Sequence, residues 1–74
     1  MITNENDDVD FVFLDDDSRP YRVMDWFDHG TWLFYWHPDN KWVSLRKLKF
    51  SEVMLLSLRA LPEEQAKLYQ DIAQ

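Results

Sequence analysis

The stretch Thr31-Trp-Leu-Phe-Tyr-Trp-His37-Pro38-Asp39-Asn40-Lys41-Trp-Val-Ser-Leu45 decides the fold. Two aromatic and β-branched runs flank a three-residue break. Pro38 pre-sets the φ of a type I turn there, and Asn40 tolerates the left-handed position normally given to glycine. That hairpin predicts its own register: His37 opposite Lys41, Trp36 opposite Trp42, Tyr35 opposite Val43, Phe34 opposite Ser44 and Leu33 opposite Leu45. One face then carries Trp32, Phe34, Trp36 and Trp42, and the other carries Leu33, Tyr35, Val43 and Leu45. Water tolerates neither, so one face is expected against the helices and the other against a partner or a second layer.

Upstream of the hairpin, Asp10 to Leu14 reads as a short strand and Tyr21 to Phe27 as a second. The second alternates Tyr21, Val23 and Phe27 with Arg22, Met24 and Trp26. Asp15-Asp16-Asp17-Ser18-Arg19-Pro20 is turn chemistry, because Asp and Ser side chains bond their own backbone and Pro20 disfavours helix at Arg19. Asp28-His29-Gly30-Thr31 is a further turn with the chain's only glycine. Downstream, Ser51 is the expected N-cap of a helix with Glu52 in its first turn. Val53, Leu56 and Ala60 beside Leu55, Leu58 and Leu61 give an apolar arc wide enough for a buried helix. Pro62-Glu63-Glu64 opens a second helix with an apolar stripe of Ala66, Tyr69, Ile72 and Ala73. The expected architecture is a small α+β domain over residues 10–74: an antiparallel meander of three to four strands followed by two short C-terminal helices. An acidic flexible arm, residues 1–9, precedes it.

The chain has 74 residues, 14 acids, 8 Lys and Arg, no cysteine and a formal charge of −6. One small core is all that this length supports, and no disulfide or zinc–thiolate site stiffens it. Four Trp, three Tyr and five Phe supply the apolar mass. No apolar run approaches the roughly 20 residues of a membrane span, so a soluble, cytoplasmic protein is expected. The charge is segregated. Glu5, Asp7, Asp8, Asp10, Asp15, Asp16 and Asp17 precede the first basic residue, while Lys41, Arg46, Lys47 and Lys49 form a basic run without acids. Segregation of this kind builds a directional field that steers charged partners.

Little in the chain suggests catalysis. His29 and His37, with Asp25, Asp28 and Asp39 nearby, sit roughly 26 Å apart along an extended strand and cannot share a metal ion. Asp15, Asp16 and Asp17 lack the glycine and closing glutamate of a calcium loop. Thr3, Ser18, Thr31, Ser44, Ser51 and Ser57 lie in no nucleophile elbow, and one glycine makes no phosphate cradle. The expectation is a chain without enzymatic activity, metal or cofactor.

Three uses of the surface remain. In the first, the acidic residues Asp7, Asp8, Asp10, Asp15, Asp16 and Asp17 steer the chain to a basic protein surface, and Trp32, Phe34, Trp36 and Trp42 anchor it. In composition alone the chain resembles the short acidic proteins with which phages and mobile elements block host nucleases or DNA-binding complexes. That resemblance implies an inhibitor competing for a nucleic-acid-binding groove. In the second, the aromatic hairpin face joins two copies into a homodimer with a structural or accessory role. In the third, the aromatics and the Lys41, Arg46, Lys47 and Lys49 patch bind single-stranded nucleic acid against the opposition of the net charge. Trp32, Trp36 and Trp42 also have the chemistry of a cage for a methylated lysine or another cation. Duplex DNA and membranes are not expected partners.

Overall fold

The hairpin forms as its turn chemistry requires: Asn40 adopts φ 65° and its N–H donates to the His37 carbonyl at 2.8 Å. The computed structural model describes residues 9–70. It contains β1 (Asp10–Leu14), β2 (Pro20–Asp25), β3 (Thr31–His37), β4 (Lys41–Lys47), α1 (Phe50–Ser57) and α2 (Glu63–Gln70). The strands make one antiparallel sheet in the order β1-β2-β3-β4, an α+β meander followed by two helices.

Four of the five expected hairpin pairs are present, from His37 with Lys41 to Phe34 with Ser44. The fifth is not. Leu33 faces Arg46 and Trp32 faces Lys47, because a β-bulge leaves Leu45 without a partner. Plain alternation would send Arg46 to the face opposite Leu33. The extra residue returns it to Leu33's face, where its guanidinium donates two hydrogen bonds to Glu52 of α1, at 2.9 and 3.3 Å.

β2 is shorter than the alternation suggested. It stops at Asp25, and Phe27 to His29 form a 3-10 turn. Phe27 takes φ 51° and is 89% exposed, so it does not share a face with Tyr21 and Val23. Trp26 fastens this turn instead, its N–H donating to the Gly30 carbonyl at 2.8 Å. At φ 90°, Gly30 occupies backbone space that other residues rarely adopt.

Each face of the sheet receives one helix. On the first, Phe13, Val23 and the buried Leu48 form a core, with Val9, Phe11, Tyr21 and Leu33 from the sheet and Val53 and Leu56 from α1 packed against it. On the second, Val12 and Phe34 are buried at 0% and 5% exposure. There α2 brings buried Ala66 and sets Tyr69 edge-on to Trp36, ring centroids 6.2 Å apart. The chain passes between faces over the β1 edge, where the Leu61 N–H donates to the Val12 carbonyl at 2.8 Å. The second layer that the aromatic face demanded is therefore α2.

Two expectations for α1 need correction. Its N-cap is Lys49 rather than Ser51. The Lys49 N–H donates to the Glu52 carboxylate at 2.9 Å, so the third helical residue reaches back to the backbone of the cap, as in a capping box. The helix also leaves much of its apolar arc in water: Met54 is 54% exposed, Leu55 68% and Leu58 83%. Pro62 separates the helices as expected, its carbonyl accepting from Gln65 and Ala66, both at 3.0 Å.

Candidate protein-contact surface

The acidic residues do not make one strip. Asp10 and the Asp15–Asp17 turn lie at opposite ends of β1, roughly 15 Å apart. Asp10 forms a two-point pair with Arg22, at 2.8 and 2.7 Å. Asp15 is used locally: its Oδ1 accepts the N–H groups of Asp17 and Arg19, both at 2.8 Å. The Arg19 amide is the main cause holding the Asp15 carboxyl below its ordinary pKa. Asp16, fully exposed, stands 3.5 Å from Arg59, and Asp17 is exposed beside it. Asp7 and Asp8 lie outside the described residues.

The basic run is divided too. Lys41 and Lys47 are the two ends of β4, roughly 20 Å apart. Arg46 is tied to Glu52, whose carboxyl is held below its ordinary value first by that guanidinium and then by the Lys49 amide. Lys47 and Lys49 make no ion pair among the described residues. His37 closes its turn, with Nδ1 accepting the Asp39 N–H at 3.0 Å, and His29 packs edge-on against Trp26 at 5.4 Å.

The four aromatic anchor candidates are engaged inside the chain. Phe34 is core, and Trp26 lies edge-on to it at 5.7 Å and to Trp32 at 5.2 Å. The Trp32 indole N–H donates to the His29 carbonyl at 2.9 Å. Trp36 and Trp42 meet at 4.8 Å, and the Arg22 guanidinium lies 5.9 Å from the centre of the Trp42 ring. All three tryptophans are half-buried. Trp36 thus has Trp42 and Tyr69 as edge-on neighbours, while Trp32 packs on Trp26 instead of joining them.

The large apolar surface left in water is elsewhere. Phe50, Met54 and Leu58 follow one another at i, i+4 and i+8 and form a single ridge with Leu55 beside it. Phe50 is 78% exposed. Val53 and Leu56 fill the opposite side of the same helix, so α1 carries apolar side chains on both its inner and its outer side. Its outer arc, completed by Ser51, carries no charge. A groove of about 220 Å³ lined by Arg46, Glu52, Leu55 and Leu56 runs along one flank of the helix. Arg59 pins the far end, donating to the Leu14 carbonyl at 2.8 Å with its guanidinium 5.7 Å from the Phe13 ring centre. The ridge thus extends from Lys49 at one end of the sheet to the Asp15–Asp17 turn at the other.

This apolar arc is visible in the sequence, where periodicity alone assigns all of it to the core. The missing quantity is the depth of the fold: among the described residues, one short helix lies on each face of a four-stranded sheet, with no third layer above it to cover an outer side. Among the described residues no helix is long and apolar enough to cross a membrane. No family model, no curated protein and no solved structure matches this chain.

Proposed function

We propose that this chain is a non-enzymatic protein-binding module whose contact surface is the outer face of α1. The observation that supports the reading is the uncharged ridge of Phe50, Met54 and Leu58 with Leu55 at its side, all more than half exposed. A helix with apolar residues on both its sides ordinarily has both sides covered. Monomeric proteins seldom leave an apolar patch of several hundred Å² without a use for it. Asp16 and Asp17, at the end of this face, offer a partner a local acidic contact beside the apolar ridge. Contact energy then comes from the helix, and the tryptophans serve the fold that holds it in place.

The test is photo-crosslinking in the native cell, with a photoreactive residue placed at position 58 and, as a control, at position 41. Protein adducts at position 58 and none at position 41 are expected. Absence of any adduct at position 58 overturns the reading.

A further inference from the structure

We infer that the partner on this face is a second copy of the chain, the two α1 helices packing antiparallel about a two-fold axis. The inference rests on the reading of α1 as a contact face and adds the identity of its occupant. Three observations support it. First, an isologous interface sets the same patch against itself. Every residue of the outer arc is neutral, so self-pairing brings no like charges into contact even in a chain of net charge −6. Second, Phe50, Met54, Leu55 and Leu58 are 54–83% exposed and present on the order of 500 Å² of apolar surface per copy, so two copies offer about 1,000 Å², the size of a weak, reversible dimer.

Third, the ends of the ridge differ in sign. Lys49 stands at the N-terminal end without an ion pair among the described residues, and Asp16 and Asp17 stand at the C-terminal end beside Arg59. An antiparallel pair places each Lys49 near the partner's acidic turn, and it also opposes the two helix dipoles. The ridge at i, i+4 and i+8 fits beside the same ridge of the second helix as helix packing commonly has it.

Sedimentation velocity on the purified full chain tests this directly. A dimer is expected at micromolar concentration, with Leu58→Glu and the milder Leu58→Ser each raising the dissociation constant at least about tenfold while the folded spectrum is retained. Asp17→Lys and Lys49→Glu each set like charges face to face twice and should weaken self-association by about three- to thirtyfold. Mixed in equal amounts, the two variants regain opposite charges at both contacts and should form a heterodimer close to wild type in affinity. A wild-type chain that stays monomeric at about 100 µM overturns the inference. If position 58 still crosslinks to a different protein, the contact face survives and only its occupant is wrong. A dimer indifferent to both Leu58 variants overturns the inference as well, and failure of the mixture to recover overturns the antiparallel arrangement.

Discussion

Phe27 combines two unfavourable features: a bulky side chain in left-handed backbone and near-complete exposure to water. Left-handed geometry costs a non-glycine residue about 1–2 kcal/mol, and glycine at the same position gives back about 0.5–1 kcal/mol in chain entropy. Phe27→Gly is therefore expected to stabilise the fold by about 0.5–1 kcal/mol in urea unfolding. A loss of stability would mean that the ring makes a contact its exposure does not reveal. Acid sensitivity belongs to the same scale. Asp15 and Glu52 both have lowered pKa values when folded, so in the acid range the unfolded chain binds more protons. Their contribution is present above the unfolded carboxylate pKa and is lost as pH falls through the lower folded one. Asp15→Asn and Glu52→Gln should each flatten the loss of stability between about pH 6 and about pH 2, read from urea midpoints. An acid limb as steep as wild type in both variants would remove these two groups from it.

Among the elements, β4 shows best where sequence reading stops. Its turn and four of its pairs follow from Pro38, Asn40 and alternation. The bulge at Leu45 follows from none of these, because what it serves is Arg46 meeting Glu52 on a helix several residues further on. Likewise the choice between Ser51 and Lys49 as N-cap depends on which N–H Glu52 reaches, and that is settled by the salt bridge. Deleting Leu45 restores simple alternation with Arg46 still beside Leu33, and it should cost about 1 kcal/mol or less. The price falls on solubility. The β1 edge is covered by Leu61, whereas the outer edge of β4 carries no backbone hydrogen bond among the described residues. Bulges and terminal lysines are common protections for such an edge. The deletion variant should therefore assemble into β-rich aggregates faster than wild type, measured by light scattering and dye binding; equal rates would show that Lys41 and Lys47 suffice.

For the whole molecule, the meander and the two helices were legible because each rests on local signals: turn residues, alternation and Pro62. The division of the helices between faces was not, since it depends on a crossing over the β1 edge that no local pattern marks. The site suffered most from this. With both helices on one face the tryptophans would be open and α1 buried; with one helix on each, the tryptophans are half-buried and the outer side of α1 is exposed. A stability contrast follows. Phe34→Ala should destabilise by about 3–5 kcal/mol, as loss of a core aromatic does. Leu58→Ser, measured at concentrations low enough to exclude self-association, should stay within about 0.5 kcal/mol of wild type. Chemical denaturation of both variants checks the assignment, and a costly Leu58→Ser would place that side chain in the core after all.

The late position of Tyr69 also bears on how the chain is made. Ribosomes deliver it amino end first, and the hairpin can pair within microseconds of emerging. Trp36 must nevertheless wait for a residue 33 positions downstream before its outer edge is covered. At ~5–20 residues per second the nascent sheet spends roughly two to seven seconds with that aromatic layer open. Translational pauses between Trp36 and Tyr69 would lengthen that interval. They are the events most apt to divert this protein to a chaperone.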